Sequence, residues 1–254
     1  MKKLLLIATL FITAFSLNAQ TTAIPDNHFE QRLIDLGLDT TLDGQVLTSN
    51  INTVTTFTIN SGSYNPSNLT GIEDFTALEN LIVIGRPALT TVDLSNNTNL
   101  INVDLTANFN LNSTLDFSNS LNLSTLNVSG NLSLSTLDVS NTNLSSLDVS
   151  SSSNLSTLDA SNTSISTLDV SNNSSLSSLD VSNTNLASLD LSANTNLTFL
   201  KTSNVSSLAT VNIPISISIL NLRGTAITSL DLSTHINLTS LLVFNNSNLT
   251  ELNL

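Results

Sequence analysis

A short phrase that returns every 10 or 11 residues constrains this chain more than any other feature. Between residues 134 and 197 it reads L-x-x-L-D-V-S-N, and related versions run from Leu89 to Leu254. A fixed period of this kind is typical of a solenoid, in which each repeat buries its apolar side against its neighbours. The sequence therefore predicts one elongated repeat domain rather than one or two globular domains.

Apolar and polar residues alternate inside each repeat. In residues 134–142, Leu137 and Val139 alternate with Thr136, Asp138 and Ser140. A period of two predicts a strand with Leu and Val pointing inward and the polar residues pointing outward. Consecutive repeats pair into coils of about 21 residues with two strands each, so stacking the coils about 4.8 Å apart gives two parallel sheets around an aliphatic core.

We call these sheets A and B and index each repeat by the residue inside its L-x-L. Sheet A is predicted to hold residues 93, 116, 138, 159, 180, 201, 221 and 242, and sheet B residues 104, 127, 148, 169, 190, 212, 231 and 253. Four residues after the index, sheet B often has Asn (108, 131, 173, 194) and sheet A often has Thr (142, 163, 184, 225). We interpret both sets as buried ladders that satisfy backbone groups where the chain turns.

Two features resemble a known family. Residues 69–84, LTGIEDFTALENLIVI, resemble the first coil of internalin-like bacterial leucine-rich-repeat proteins. The paired repeats resemble the 21-residue bacterial leucine-rich repeat, whose halves both read L-x-x-L-x-L-x-x-N. The resemblance implies a mainly β, right-handed leucine-rich-repeat solenoid with two parallel sheets and an N-terminal helical cap, and it says little about function.

The N-terminal residues indicate export. Lys2 and Lys3 precede a short apolar run from Leu4 to Phe15, and residues 16–19 end in the small residue Ala19. This pattern predicts a signal peptide over 1–19 with cleavage before Gln20 and a secreted or cell-surface protein. Residues 20–53 are predicted to form a helical cap, with a helix within 24–38 capped by Asp26 or Asn27. The solenoid is predicted over 54–254.

Charge and composition exclude several classes of function. The chain has 19 acidic and 6 basic residues and no cysteine. An acidic protein lacks the basic surface that nucleic acids and anionic membranes require, so we expect neither partner and no membrane insertion. The two histidines, His28 and His235, have no partner set for catalysis in the sequence, and we expect no enzyme activity.

Columns of aspartate are predicted along both sheets. Asp138, Asp159 and Asp180 follow one another in sheet A and are candidates for a calcium site. The alternative is a solvated acidic face that keeps the protein soluble. Repulsion between carboxylates one coil apart is expected to raise their pKa in the folded protein.

The pattern of outward residues breaks in the later coils of sheet A. There Thr, Asp and Ser give way to larger apolar and basic residues: Phe199, Lys201, Ile219, Arg223, Leu242 and Phe244. An apolar cluster with charges around it is typical of a contact surface. We predict a rigid, non-catalytic surface that recognises or adheres to a protein or carbohydrate. The alternatives are decay of the repeat, a covered face, or a structural spacer, which could bind divalent cations on its Asp ladders.

The sequence stops at Leu254 inside an L-x-L phrase, without a capping segment. Solenoids ordinarily need a polar cap at each end. The sequence is therefore either a fragment of a larger surface protein or forms an end-to-end homodimer through its C-terminal edge.

Overall fold

The computed structural model describes residues 19–60, 64–111 and 114–254. Except for Ala19, the predicted signal peptide lies outside these residues. They form a mainly β solenoid whose coils stack through parallel strands. None of the helices within these described residues is long and apolar enough to cross a membrane.

Two helices and a small antiparallel sheet stand at the N-terminal end. Strand β1 (Thr21–Ala23) pairs with β2 (Gln45–Leu47), helix α1 spans Asn27–Asp35 and helix α2 spans Thr48–Ile51. The Asp26 carboxylate accepts hydrogen bonds from the backbone N–H groups of His28 and Phe29, each at 3.0 Å, which confirms the predicted N-cap. Gly37, at φ +72°, follows the end of the helix in the left-handed region that glycine adopts without strain.

A cluster of three phenylalanines joins this end to the solenoid. The ring centroid of Phe29, in α1, lies 5.5 Å from that of Phe57 and 6.2 Å from that of Phe75, and all three rings are fully buried. The buried Glu30 carboxylate accepts N–H groups of Asp43, Gly44 and Gln45 at 2.8, 2.6 and 3.2 Å. The loop 39–44, which leads into β2, is thus held as a turn by α1.

The remaining elements are short strands separated by turns. They are β3 (Thr56–Ile59), a 3₁₀ turn (Ile72–Asp74), β4 (Asn80–Val83), β5 (Asn102–Asp104), β6 (Thr114–Asp116), β7 (Thr125–Asn127), β8 (Thr136–Asp138), β9 (Thr157–Asp159), β10 (Ser178–Asp180), β11 (Ser188–Asp190), β12 (Phe199–Lys201), β13 (Thr210–Asn212), β14 (Ile219–Asn221), β15 (Ser229–Asp231), β16 (Ser240–Leu242) and β17 (Glu251–Asn253).

Sheet A is continuous and matches the predicted register. Its order is β6-β8-β9-β10-β12-β14-β16, all parallel, with the index residues opposite one another from Asp116 to Leu242. Asp93 is the exception. Within the described residues, its coil makes an isolated bridge between Thr91 and Asn68 of the preceding coil.

Sheet B differs from the prediction of one continuous sheet. It forms three separate pieces: β3-β4-β5-β7, then β11-β13, then β15-β17. Asp148 makes only an isolated bridge with Asn127, and Asp169 belongs to no strand. The first piece also begins two coils earlier than the index residues indicated, with β3 and β4.

Coil length accounts for where sheet B closes. We call the step from one coil to the next closed where its two sheet B strands pair, and open where they do not. Residues that lie opposite each other at closed steps are 24, 22 and 23 positions apart, as for Thr56 and Asn80, Asn80 and Asn102, and Asn102 and Thr125. The open steps are shorter: 21 positions from residue 148 to 169 and from 169 to 190, and 19 from 212 to 231. A strand rises about 3.3 Å per residue, so a coil one residue shorter lacks the backbone to pair with its neighbour on both faces. Sheet A stays closed in these coils.

The missing residue lies in the half coil that runs from sheet A to sheet B. Counted from one index residue to the next, the half coil that leads into an open or singly bridged step spans 10 positions (138 to 148, 159 to 169, 180 to 190, 221 to 231). The half coil that leads into a closed step spans 11 positions (93 to 104, 116 to 127, 201 to 212, 242 to 253). The 10-residue halves are the ones that carry Thr142, Thr163, Thr184 and Thr225 at the ladder position.

The predicted polar ladders are confirmed. The fully buried Asn108 donates through Nδ2 to the carbonyls of Val83 (2.8 Å) and Leu105 (2.6 Å), and its Oδ1 accepts the N–H of Arg86 at 2.9 Å. Asn131, Asn173 and Asn194 are also buried and also donate to two carbonyls each. The four threonines instead donate to the carbonyl three residues earlier. These side chains satisfy backbone groups at the turns that they occupy.

Candidate functional site

The six residues at which the repeat pattern breaks lie together on sheet A. We call them the sheet A patch: Phe199, Lys201, Ile219, Arg223, Leu242 and Phe244. Phe199 lies opposite Ile219 in the β12–β14 pair, and Leu242 lies opposite Asn221 in the β14–β16 pair. Three adjacent strands and the turns after them therefore present the patch on one face.

The apolar side chains of the patch are largely exposed. The exposed fraction is 41% for Ile219, 44% for Leu242 and 51% for Phe244, whereas Phe199 is half-buried. The guanidinium carbon of Arg223 lies 5.2 Å from the ring centroid of Phe244, a cation–π geometry. The arginine thus keeps its charge at the surface while it fixes the aromatic ring.

Lys201 has a different role from the other five residues. Its Nζ atom lies 2.7 Å from Oδ2 of Asp180, one strand away, and this is the ion pair found in the described part of the chain. The carboxylates of Asp116, Asp138, Asp159 and Asp180 stand in register up to this point. Lys201 therefore ends the acidic column where the apolar patch begins. A partly exposed pair of this kind contributes on the order of 1 kcal/mol.

The aspartates of both sheets make a local turn that sequence reasoning missed. The Oδ1 atom of Asp93, Asp169, Asp190 and Asp231 accepts the backbone N–H of the serine two residues later, at 2.9–3.0 Å. Hydrogen bonds from this serine, through its hydroxyl and its N–H, lower the pKa of all four carboxyls. The expectation that repulsion raises the pKa was wrong for these four, because a bonded donor outweighs a like charge one coil away across water.

We therefore expect acid to destabilise the protein. A carboxyl with a lowered pKa in the folded state contributes stability above its unfolded pKa, here about 3.8, and loses it as the pH falls through the lower folded value. The melting temperature at low ionic strength should stay level from neutral pH down to about pH 4 and then fall. Thermal melts monitored by circular dichroism measure this.

Four Asp→Asn substitutions, at Asp93, Asp169, Asp190 and Asp231, provide the control. Asparagine holds the same turn in the native chain: Asn127 accepts the N–H of Ser129, and Asn221 that of Arg223. The variant should keep its fold and lose much of the acid dependence. An undiminished fall in melting temperature below pH 4 would show that other groups cause it.

The predicted calcium candidates lie on sheet A. Asp138, Asp159 and Asp180 are half-buried and each accepts the N–H of the serine two residues later at 2.9 Å. In the stretches that the structure describes, no three His, Asp or Glu side chains converge where they could hold a metal ion. Calcium binding along this column stays a prediction.

The two histidines lie far apart in the chain and in the fold. His28 is exposed on α1. His235 occupies the ladder position of its coil, and its Nε2 lies 3.3 Å from the carbonyl of Ile213, where Asn173 and Asn194 place their amide groups in earlier coils. His235 therefore replaces a ladder asparagine.

A crevice lies on the opposite face of the solenoid from the sheet A patch, where sheet B is interrupted. This sheet B crevice has a volume of about 770 Å³. Leu147 and Leu168 line it, and Asp148, Asp169 and Asp190 stand along it. The sequence analysis did not find it, although the alternation of 10- and 11-residue half coils marks its position.

No family model and no curated protein matches this chain. Solved structures similar to it include the functional domain of InlJ from Listeria monocytogenes, which includes a cysteine ladder, with a TM-score of 0.46 and 20% identity over 90% of this chain and 72% of that one. An internalin, InlF, from Listeria monocytogenes has a TM-score of 0.40 and 20% identity over 93% of this chain and 92% of its own. A leucine-rich-repeat protein of Leptospira interrogans has a TM-score of 0.30 and 17% identity over 72% of this chain and 68% of its own.

Proposed function

We propose that this chain is an exported, non-catalytic repeat protein that binds a partner through the sheet A patch. The observation that carries the proposal is the exposure of Ile219, Leu242 and Phe244 on three adjacent strands of a rigid sheet. A contiguous exposed apolar cluster costs solubility unless it is used, and it is typical of a contact surface.

The surroundings of the patch favour a protein partner over a carbohydrate. Phe244 offers an aromatic face, but Arg223 lies over it, and the aliphatic side chains of Ile219 and Leu242 are exposed beside it. Aliphatic anchors with a fixed arginine suit an apolar and acidic protein surface. The acidic columns on the rest of sheet A would repel other acidic partners and so restrict docking to the patch.

Ligands selected from a displayed random-peptide library test the proposal. Ligands that bind the protein are measured by calorimetry against a variant with Phe199, Leu242 and Phe244 replaced by serine. We expect at least tenfold weaker binding. A tenfold change in Kd corresponds to about 1.4 kcal/mol of binding free energy, and the loss of three apolar anchors removes at least that much. A glycan array used in parallel would identify carbohydrate ligands instead.

The matched control replaces Phe109, Leu121 and Leu132 by serine. These side chains are comparably exposed, at 47%, 58% and 47%, but they lie in turns outside the patch. Equal losses in both variants would point to non-specific apolar binding. Ligands that do not distinguish the patch variant from the native chain would favour a structural spacer.

Lys2, Lys3 and the apolar run before Ala19 support export of the chain. Export fits a protein that binds a partner outside the cell. The end-to-end homodimer and divalent cation binding on the Asp ladders stay proposals beside it.

A further inference from the structure

The outward side chains of sheet A change in a fixed order along the solenoid axis. One end of the sheet carries the acidic column, which consists of Asp116, Asp138, Asp159 and Asp180 in register. The other end carries the sheet A patch, and Lys201 stands between the two. Sheet A is thus anionic over four strands and apolar over the next three, on one continuous face.

Small hydroxyl side chains flank the acidic column. Thr136 and Ser140 stand on either side of Asp138, and none of the corresponding positions from Thr114 to Ser182 holds a side chain larger than threonine. Ser140 is buried and Thr136 is half-buried. The carboxylates are therefore accessible to a partner that lies flat on the sheet.

The contact made by Lys201 shows how a cation meets this column. Its Nζ atom lies 2.7 Å from Oδ2 of Asp180, one coil away, while Oδ1 of Asp180 accepts the Ser182 N–H. Asp138 and Asp159 use Oδ1 for the same turn. Their Oδ2 atoms thus offer a lysine of a partner the contact that Asp180 gives to Lys201.

The spacing of the coils selects the kind of element that fits the whole face. The seven strands from β6 to β16 make six steps, or about 29 Å at about 4.8 Å each. Side chains on one face of a helix recur about every 5.4 Å, so six turns exceed this length by only about 3 Å. Alternate residues of an extended chain lie about 6.6 Å apart and would lose register by about two coils. A helix along the solenoid axis can therefore contact both ends.

We propose that sheet A binds an amphipathic helix of a partner protein, with Lys or Arg over the acidic column and aliphatic residues over the sheet A patch. An acidic residue at the apolar end of the helix lies beside Arg223, which stays fixed on Phe244. The opposite charges set the position and direction of the helix, and the aliphatic residues supply most of the affinity. This inference rests on the proposed function, because the apolar end of the helix occupies the same patch.

The probe is a capped helical peptide of about 20 residues. One face carries lysines at one-turn intervals in the N-terminal half, then leucines and one glutamate in the C-terminal half. This order puts the positive end of the helix dipole over the carboxylates. Calorimetry at low salt should show binding that weakens tenfold or more in about 0.5 M sodium chloride, because salt screens exposed charge pairs. Absence of binding at low salt would overturn the inference.

A second peptide tests whether the bound partner is a helix. It keeps every lysine, leucine and glutamate but has proline at two interior positions on the opposite face, which breaks the helix. It should bind at least tenfold more weakly than the probe. Far-UV circular dichroism should also show that the probe gains helix when it binds. Equal affinity of the two peptides would contradict the proposal.

Three protein variants separate this inference from the proposed function. The column variant has Asp116, Asp138 and Asp159 changed to Asn. Its matched control has Asp148, Asp169 and Asp190 of sheet B changed to Asn, and Asn127 shows that asparagine holds the same turn. The patch variant has Phe199, Leu242 and Phe244 changed to Ser. The column and patch variants should each bind the probe at least tenfold more weakly, and the sheet B control should bind it like the native chain.

The pattern of losses decides between the two ideas. Loss in the patch variant alone would leave the proposed function standing and contradict the helix. Loss in neither the patch nor the column variant, for the probe and the selected ligands alike, would contradict both. Loss in the column variant alone, or equal loss in its sheet B control, would mean adsorption to acidic surface and overturn the helix. If a variant fails to fold, probes with glutamine for lysine or serine for leucine make the same tests on the native chain.

Discussion

Replacing Phe29 by alanine is expected to destabilise the protein by about 3 to 5 kcal/mol. The ring is fully buried, lies edge-on to Phe57 and is stacked with Phe75. The substitution leaves a cavity and removes one of the two fully buried apolar side chains of α1, the other being Leu33. Equilibrium denaturation gives the loss, and Leu36→Ala is the matched control. Leu36 caps the C-terminal end of the same helix and is 43% exposed, so we expect a change below about 1 kcal/mol.

The loss should also be local. Each coil of a solenoid contacts only its neighbours, so an opened cap weakens the adjacent coils first. Amides of β3 and β4 should exchange faster in the Phe29→Ala variant, while those of β14 should change little. Equal acceleration along the whole chain would show that the solenoid unfolds as one unit.

Removing the Asn108 side chain is the second large effect. Asn108→Ala should cost about 2 to 4 kcal/mol, because it takes the donor from the Val83 carbonyl and the acceptor from the Arg86 N–H, and a buried unpaired group costs about 1 to 3 kcal/mol. The Leu105 carbonyl keeps a donor in Asn131, at 3.1 Å. Denaturant titration of the variant measures the loss.

Asn110→Ala separates burial from hydrogen bonding. Asn110 lies two residues further along the same turn and donates to the Pro87 carbonyl at 2.7 Å, but it is exposed. Water can replace its bond, so we expect a loss below about 1 kcal/mol. Similar losses at both positions would mean that the ladder stabilises the turn by shape rather than by satisfying buried groups.

The sequence was enough to predict sheet A and the polar ladders. Both follow from local rules: alternation places Leu137 and Leu158 inward, and the fixed offset places Asn108 and Asn131 at buried turns. Register then follows, because a slip by one residue would expose the whole apolar set.

The interruption of sheet B could not be predicted from alternation. Residues 146–149 and 167–170 carry the same apolar and polar pattern as paired strands. Pairing there depends on the total backbone in a coil, which no single repeat reveals. The predicted rise in the pKa of the aspartates was wrong for a related reason. The columns of charge are visible in the sequence, but the hydrogen bond from the Ser171 N–H to Asp169 depends on the geometry of the turn.

The patch was found because it departs from a regular background. Phe199, Ile219 and Leu242 stand where earlier coils have Thr, Ser and Asp, so their contrast was visible in the sequence. The ion pair between Lys201 and Asp180 and the stacking of Arg223 on Phe244 needed the structure, since both depend on the spacing of neighbouring coils.

The dependence of sheet B on half-coil length has a consequence for variation in genes of this kind. A single in-frame codon gained or lost between a sheet A strand and the following sheet B strand would switch one step of sheet B between paired and open. The aliphatic core and sheet A would remain as they are, because sheet A pairs in coils of either length. Replication slippage within repetitive DNA produces such changes, so the pairing of sheet B on this scaffold changes with repeat length rather than with amino-acid substitution.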